Sequence, residues 1–475
     1  MNRRVDVDTL AKDVCRDLHG AEPTTACKAG TRHQASAIRQ KSRGGHRRQR
    51  PEPDRRDRPH GPRVLQERMK PPRVLAVAQL MNSIGDGAFY VTSALYFARV
   101  VGLTPAEIGF GLTLGWAVGS VAGVPLGNLA DRRGARGTAV VLALATATAV
   151  ASFLFVRSLP LFAVAAVLYA SCQCGLTAAR QALLAGLVEQ DRRTEVRAFL
   201  QSTTNAGLAV GAALGGLALH SDTHEAYLAV LVMDAVSFVT AGLVLSRLPV
   251  LVPATPGPGK PRLVVLRDRP YAAVTIINAV MLFYMPLISL VIPLWIVQQT
   301  QAPTWTVSAL LMLNTLSVVA FQVRVARRVK GLKSASRAVR HAGLVMFAAC
   351  AVFALSATGS TAWITGLILL AAAGLQVLGE MMLASGAWEI SFGLAPADKQ
   401  GQYQGFFATG QAVARMLGPL ALTTLLLGWG ALGWLLLGAL FAAAGTAMGP
   451  AVRWAERTRT RPHRPTAMAE ANSPL

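Results

Sequence analysis

Long apolar segments separated by short polar connections constrain this chain more than any other feature. Twelve such segments follow residue 70, and most are long enough to cross the hydrocarbon core of a bilayer at about 1.5 Å per residue. A chain in lipid must satisfy its backbone hydrogen bonds internally, so each segment is predicted to be a helix. The segments are residues 73–101, 107–130, 137–156, 160–188, 197–220, 225–247, 271–299, 304–328, 337–357, 361–392, 402–428 and 430–452.

Composition and charge placement agree with a membrane protein. Apolar residues make up 52% of the chain and charged residues only 15%, which excludes an ordinary soluble domain. The net charge of +23 could indicate nucleic acid. However, the Lys and Arg residues after residue 70 fall mainly in alternate connections and in the C-terminal tail, which is a topology signal. We therefore expect no nucleic-acid partner, a multi-pass protein of the cell membrane, and both chain ends in the cytosol.

The chain divides into five regions by composition. Residues 1–70 carry 18 Lys and Arg against 9 Asp and Glu without apolar periodicity, and are predicted to be a disordered basic tail. Residues 71–248 are predicted to form a first six-helix bundle, and residues 249–270, rich in Pro, Gly and basic residues, a cytosolic linker. Residues 271–452 are predicted to form a second bundle, followed by a basic cytosolic tail at 453–475.

An internal repeat relates the two predicted bundles. A shift of 207 residues superimposes Gly186 on Gly393, Leu187 on Leu394, Asp191 on Asp398, Phe199 on Phe406 and Gly211 on Gly418. Two homologous halves are a common build of secondary transporters. The predicted fold is an all-α membrane protein with twelve transmembrane helices in two pseudo-symmetric six-helix bundles.

The connection between the second and third segments is a dense polar turn, Gly127 to Gly137. Glycines at 134 and 137 are expected to allow a tight reversal. Three arginines, Arg132, Arg133 and Arg136, mark the turn as cytosolic. Asp131 among them is not explained by topology alone.

The pattern G-x-x-x-D-R-x-G-x-R in this turn resembles the signature loop of the major facilitator superfamily. The matching residues are Gly127, Asp131, Arg132, Gly134 and Arg136, whereas Ala135 stands where Arg or Lys is common. The resemblance implies a conformational latch. Its acid would lie at the N-terminus of a helix in the other half, where a carboxylate is stabilised. Its arginine would pair with an acid that ends the fourth segment, Glu189 or Asp191. The alternative is a plain basic turn.

A second resemblance lies in the fifth segment. Its glycines follow the antiporter motif of drug-exporting major facilitators, with Ala212 in place of the usual proline, and the eleventh segment retains a Gly-Pro pair. The residues concerned are Gly207, Gly211, Gly215, Gly216, Gly418 and Pro419. The resemblance implies a bend or close contact that controls how the halves seal. The alternative is generic packing of small residues.

Ionisable residues inside the segments are costly in lipid and mark functional sites. Asp86, Glu380 and Asp234 are the candidates for proton coupling, each roughly 20 Å from the cytosolic end of its segment. The resemblance places the first, fourth, seventh and tenth segments around a central cavity, so Asp86 ranks first and Asp234 last. Glu380 and Arg415 lie at equal depth and could form a buried pair, either structural or broken on protonation.

The cavity candidates are drawn from the same predicted helices. Arg180 could extend toward the cytosol or contact an anionic group of a substrate. The polar set is sparse, which favours an exporter of small, largely apolar compounds over a sugar carrier. The candidates are Asn82, Phe89, Tyr90, Arg180, Tyr284, Met381 and Arg415.

The sequence favours a proton-driven exporter that is not an enzyme. It has no nucleotide-binding glycine loop, nucleophile motif or metal-ligand cluster, and Cys172-x-Cys174 does not place two thiols on one helix face. We expect no metal and no cofactor, a proton gradient as the energy source, a small-molecule substrate and a monomer in the bilayer. The rivals are a proton symporter that imports a metabolite and a non-transporting membrane sensor.

We predict that residues 1–68 are dispensable. Their composition predicts disorder, and Met69 lies directly before the first apolar segment. A chain that begins at Met69 should reach the membrane and transport substrate at wild-type levels, measured by membrane quantification and efflux. Failure of the shortened chain to insert or to transport would contradict this prediction.

Overall fold

The computed structural model describes residues 71–251, 263–303, 305–358 and 361–460. The predicted tail 1–70, the middle of the predicted linker and the end of the basic tail lie outside these ranges. Within them the chain forms twelve α-helices. They are α1 Pro71–Leu95, α2 Pro105–Arg133, α3 Ala135–Ser152, α4 Leu159–Leu187, α5 Gln190–Ser221, α6 His224–Leu245, α7 Arg269–Met281, α8 Ile292–Gln299, α9 Trp305–Arg327, α10 Gly331–Leu355, α11 Ala362–Leu394 and α12 Gln400–Thr460.

Eight of these helices are long and apolar enough to cross a membrane. They are α2, α3, α4, α6, α9, α10, α11 and α12. The longest, α12, contains Gly430 with non-helical backbone angles (φ 57°, ψ −132°), so it consists of two helical arms joined at a sharp kink. Only glycine adopts such a conformation readily.

The other four helices, α1, α5, α7 and α8, are too polar or too short to meet these conditions. Along α1 and α5 polar residues interrupt the apolar pattern, and several of them face the central cavity described below. In contrast, α7 and α8 are pieces of one apolar stretch. A 3₁₀ turn at Leu282–Tyr284 and a π turn at Leu287–Val291 separate them. Pro286 and Pro293 lie in this region, and proline removes a helical hydrogen bond there.

The polar turn between α2 and α3 is a single-residue reversal at Gly134. Its φ is 100°, a value that favours glycine, and its N–H bonds the carbonyl of Ala130 at 3.1 Å. Gly137 was expected to assist, but it lies within α3 and faces open space. One flexible residue is sufficient because both helices begin or end directly beside it.

Buried apolar side chains form two large clusters. One draws almost entirely on α1 to α6 and the other almost entirely on the chain from Val265 to Ala455. In the first cluster α2 packs on α4, and α1 packs on α5 and α6. In the second, α10 packs on α11 and α12, and α12 packs on α7. The first half is therefore the α1–α6 group and the second half is the α7–α12 group.

A glycine ladder joins α2 to α4 within the first half. Glycines at every fourth position of α2 face residues at every fourth position of α4, so the two backbones lie in contact. The pairs are Gly111 with Phe162, Gly115 with Ala166, Gly119 with Ala170 and Gly123 with Cys174.

The same edge of α2 continues into a crossing between the two halves. A Cβ on Gly127 would overlap the carbonyl of Gly401, and a Cβ on Gly405 would lie 2.5 Å from the carbonyl oxygen of Gly123. The backbones of α2 and α12 therefore touch with no side chain between them. This contact lies at the arginine-rich end of the molecule, the end that contains Gly134.

We predict that Gly127→Leu separates the halves at the arginine-rich end. The new side chain has no space beside Gly401, so the contacting state should fall roughly five- to 160-fold, since overpacking costs about 1–3 kcal/mol. Double electron–electron resonance between spin labels on cysteines replacing Arg192 and Arg328 would measure this in a background without native cysteines. Gly216→Leu is the matched control, because Gly216 faces open space. An unchanged distance distribution in Gly127→Leu would contradict the prediction.

Candidate functional site

A central cavity of about 680 Å³ lies between the two halves. Its walls come from α1, α2, α4, α5 and the end of α6 on one side and from α7 with the turn that follows it, α9, α11 and α12 on the other. Its size suits a small organic molecule. Tyr90, Tyr284, Arg180 and Arg415 line it, as the sequence analysis expects, and so do Asp86 and Glu380.

The cavity wall is richer in polar side chains than the sequence analysis expects. A sparse polar set was predicted, but amide side chains extend into the cavity from most of the surrounding helices. The reason is that amides are scattered singly through apolar segments and converge only after folding. They are Gln79, Gln173, Gln181, Gln201, Asn205, Asn278, Asn314, Gln322, Gln404 and Gln411.

Asp86 lies in the cavity wall with its carboxylate held by two amides. The residue as a whole is only 8% exposed. Asn82 Nδ2 donates to Oδ2 at 2.6 Å, and Gln173 Nε2 donates to Oδ1 at 3.3 Å. Glycines on either side allow α6 to approach at Gly85 and α5 at Gly87. The carboxylate is thus positioned by neutral donors rather than by a direct ion pair.

Arg180 belongs to the same network and does not extend toward the arginine-rich end. Its Nη2 donates to Asn82 Oδ1 at 2.7 Å, and its Nη1 donates to Gln79 Oε1 at 3.3 Å. Its buried Nε has no hydrogen-bond partner within the described residues. Asn82 therefore accepts from the guanidinium and donates to the carboxylate of Asp86.

Glu380 and Arg415 do not form the expected ion pair. Within the described ranges the carboxylate of Glu380 accepts a hydrogen bond from Asn314 Nδ2 at 2.9 Å, and Tyr284 lies beside it. The guanidinium of Arg415 instead lies over the ring of Trp116, 5.5 Å from its centroid. Equal depth places two residues in one layer of the membrane but does not bring their helix faces together.

Four of the residues proposed from the sequence as cavity or proton-coupling candidates lie outside the cavity lining. Phe89 packs in an aromatic cluster with Phe153 and Tyr169, and Met381 packs against Val318. Asn82 is 1% exposed and acts through Asp86 and Arg180. Asp234 is fully buried against α1, where its Oδ1 lies beside Gly85.

The glycines of the antiporter-like motif make close helix contacts within a half, not between halves. Gly207, Gly211 and Gly215 pack against Ser83, Ile84 and Ala88 of α1. Gly418 packs against Pro286 in the second half, while Gly216 has no neighbour within 4 Å. The seal between halves is instead made by α2 and α12, so these motif glycines do not form it in this conformation.

Asp131 lies where the resemblance implies, at the N-terminus of a helix in the other half. Its Oδ1 accepts from the backbone N–H of Gly401 at 2.6 Å, and its Oδ2 accepts from that of Gln402 at 2.9 Å. These N–H groups belong to the first turn of α12, where they have no partner within the helix. A carboxylate there is stabilised by both hydrogen bonds and the helix dipole.

The arginines of the turn have other partners than the implied acids. Arg136 donates to the carbonyl of Leu248 at 2.9 Å, and Arg132 is exposed. Within the described residues neither forms an ion pair with Glu189 or Asp191, which are themselves exposed. In this conformation Asp131 alone carries the latch contact.

A second group of contacts joins α5 to the other half at the same end. Glu389 of α11 accepts from the hydroxyl of Thr194 and from the backbone N–H of Gly331, the latter at 2.8 Å. Arg327 and Glu195 form an ion pair at 2.9 Å. The sequence analysis proposed a latch only at the α2–α3 turn. It missed Glu389, because no spacing relates that residue to α5.

Within the part of the chain that the structure describes, no group of three or more His, Cys, Asp or Glu residues could hold a metal ion. Cys172 and Cys174 are free thiols, and Cys174 packs beside Gly123. The cavity offers carboxylate, guanidinium, amide and aromatic groups.

Comparison with known proteins identifies the chain's relatives by family and by fold. The family model described as Major Facilitator Superfamily matches residues 75–419. No curated protein matches the chain in sequence. Solved structures match it over most of its length at low identity, which shows a shared fold.

Three of these structures illustrate the likeness. A bacterial homologue of the iron transporter ferroportin, in an outward-facing state, has a TM-score of 0.66 at 14% identity, over 82% of this chain and 100% of its own. The proton:xylose symporter XylE, bound to 6-bromo-6-deoxy-D-glucose, has a TM-score of 0.61 at 13% identity, over 81% and 95%. The human organic anion transporter MFSD10 has a TM-score of 0.54 at 17% identity, over 81% and 98%.

We predict that Asp131→Asn weakens the contact between halves without unfolding the protein. The amide can accept from only one of the two N–H groups and has no charge for the helix dipole, so the contacting state should lose about 1–2 kcal/mol, roughly tenfold in population. The spin-label pair at positions 192 and 328 would measure the change in distance between the halves. Membrane levels should be normal and transport slower. Glu225→Gln is the control, since Glu225 is an exposed acid in the first turn of α6 that makes no contact with Asp131 or α12 in the described part of the chain. Equal distance distributions in Asp131→Asn and wild type would remove the latch role.

Proposed function

This chain belongs to the Major Facilitator Superfamily, and on that premise we propose that it is a secondary active transporter that exports small amphipathic compounds by proton antiport. The protein is a multi-pass membrane protein of a family of transporters. The coupling ion, the direction and the substrate are parts of the proposal, and each is supported below by a separate observation.

We propose twelve membrane spans built from the twelve helices. In this assignment α7, its irregular turns and α8 form one span, and the two arms of α12 around Gly430 form two. The even count puts both ends on one side of the membrane. The arginines around the α2–α3 turn support a cytosolic position for that side and a plasma-membrane location.

The arrangement of the halves supports alternating access. The first half, α1 to α6, and the second half, α7 to α12, touch at the arginine-rich end through α2 and α12, and through α5 with α9 and α11. If that end is cytosolic, this conformation is closed to the cytosol and corresponds to an outward-facing state. Parting these contacts would open the same cavity to the other side, which is how such transporters work.

Asp86 carries the coupling proposal. It is an acid in the cavity wall at about mid-membrane, with both oxygens held by amide donors and no ion pair within the described residues. Removal from water favours the neutral form of a carboxylate. The same residue can therefore accept a proton on one side of the membrane and release it on the other. Glu380, also in the wall, is the second candidate.

The substrate proposal rests on the mixed character of the cavity. Trp116, Tyr90, Tyr284 and Met285 offer apolar and aromatic surface, while the amides and arginines offer polar contacts. This combination suits an amphipathic compound of a size that fits about 680 Å³.

A proton symporter that imports a metabolite is the second candidate function. The abundance of amide side chains in the cavity favours it, because amides bind hydroxyl-rich metabolites. The proton:xylose symporter in the structural comparison shares this fold. Proteoliposomes with an imposed pH gradient separate the two functions. Under antiport, a proton influx drives substrate outward, whereas under symport it drives substrate inward.

We predict that Asp86→Asn abolishes gradient-driven transport but leaves substrate exchange intact. Asparagine has the shape of protonated aspartate and cannot titrate. Driven accumulation in proteoliposomes should fall at least a hundredfold, while exchange down a substrate gradient should stay within about threefold. Glu225→Gln is the control, because Glu225 is an exposed acid of α6 outside the cavity. Full driven accumulation in Asp86→Asn would make Asp86 structural and would direct the same test to Glu380→Gln.

A further inference from the structure

Three arginines extend into the central cavity, and only one of them is exposed there. Arg180 donates to Gln79 and Asn82, and Arg197 lies partly buried over the ring of Trp388 at 5.2 Å. Arg415 is exposed, and its guanidinium forms no ion pair within the described residues. Its partner is the face of Trp116.

Neither acid of the cavity forms an ion pair with this guanidinium within the described residues. Glu380 accepts from Asn314, and Asp86 accepts from Asn82 and Gln173. With both acids charged the three arginines leave a net charge of +1 among these five groups, and with both acids protonated the net charge is +3. A charge inside the membrane is costly unless it is paired. A cation–π contact offsets only part of that cost.

We propose that the transported compound is an organic anion whose carboxylate, sulfonate or phosphate binds Arg415 and whose apolar body lies beside Trp116. The proposal rests on the transport function proposed above and names its substrate class. The planar fork of an arginine matches such oxyanions with two parallel hydrogen bonds. Trp116, on α2, supplies aromatic surface directly beside the guanidinium.

The position of Arg415 connects binding to the contact between halves. Arg415 belongs to the second half and Trp116 to the first, so their contact bridges the two sides of the cavity. It lies on the same pair of helices as the glycine crossing, α2 and α12, farther from the arginine-rich end. An anion that draws the guanidinium away from the ring exchanges a contact between halves for a contact with substrate.

Binding to the full-length protein in nanodiscs tests the proposal without requiring transport. The probes are 2-naphthoate and 2-naphthalenesulfonate as anions, methyl 2-naphthoate as the neutral analogue and 2-naphthylmethylamine as the cation. Equilibrium dialysis at pH 7, with empty nanodiscs subtracted, measures their dissociation constants. We expect the anions to bind at least tenfold more tightly than the ester and the amine.

Arginine variants identify the residue responsible. Arg415→Gln should weaken anion binding about ten- to a hundredfold and leave the ester unchanged, because a charge-assisted pair is lost. Arg415→Lys should give an intermediate loss, since lysine keeps the charge without the fork. Arg324→Gln is the matched control, because Arg324 also lies over an aromatic ring, Phe321 at 5.7 Å, but does not line the cavity. It should bind the anions like the wild type.

The outcomes separate this inference from the proposed function. Ester or amine binding as tight as the anions, no saturable binding of either anion, or equal losses in Arg415→Gln and Arg324→Gln would each overturn the anion site. Anion binding that depends on Arg415 would uphold it even if no pH gradient moved the probes, and only the proposed coupling would then fail. Gradient-driven movement of the amine, unaffected by Arg415→Gln, would uphold proton-coupled transport and overturn the anion site.

Discussion

The backbone contact between α2 and α12 is the interaction on which this conformation depends. Glycines 123 and 127 meet glycines 401 and 405, so the two helix backbones touch where any side chain would hold them apart. That approach brings Asp131 within 2.6 and 2.9 Å of the two N–H groups it accepts from. A methyl group at the crossing would overlap the facing backbone, so the helices would have to separate and both bonds would be strained. Side chains do not interdigitate at this crossing, so the halves can part there without repacking a core, as an alternating transporter requires.

The cavity shows how a membrane interior can keep charged groups that are not directly paired. Amides separate the charges: Asn82 accepts from Arg180 and donates to Asp86, so the positive charge acts on the carboxylate through a polarised amide. A direct buried ion pair would cost several kcal/mol to break, since removing one charge leaves the other unpaired. An amide bridge costs less to rearrange, because each group keeps a neutral partner when Asp86 gains or loses a proton. The ten cavity amides are therefore compatible with a wall that changes charge during a cycle, which an all-ionic wall would resist.

Local backbone features were predicted well from the sequence, whereas the helices and side chains that they contact were predicted poorly. The reversal at Gly134 follows from backbone chemistry and is confirmed. The close contact of Gly207 and Gly211 was predicted, but its partner, α1, was not, because small-residue spacing does not say which helix approaches. Phe89 and Tyr90 are adjacent in sequence, yet one is in the core and the other in the cavity, since consecutive helical residues point about 100° apart. The glycine stripe from Gly111 to Gly127 was visible at four-residue spacing, and it is the signal that could have located both the α4 ladder and the crossing with α12.

The proposed anion site at Arg415 and the contact made by Asp131 lie on one pair of helices, α2 and α12. Gly401 and Arg415 are fourteen residues apart on α12, about 21 Å along a helix. A straight helix of that length cannot tilt at Arg415 without moving at Gly401. The two attachments are also similar in strength: a cation–π contact contributes about 0.5–2 kcal/mol, and a carboxylate at a helix N-terminus contributes up to about 2 kcal/mol. A bound anion that replaces the first contact therefore removes a contribution of about the same size as the second. A ligand shifts a conformational equilibrium only by its difference in affinity between the two states. Weak contacts of comparable strength at both ends of this helix pair therefore allow a small molecule to shift the position of one half relative to the other.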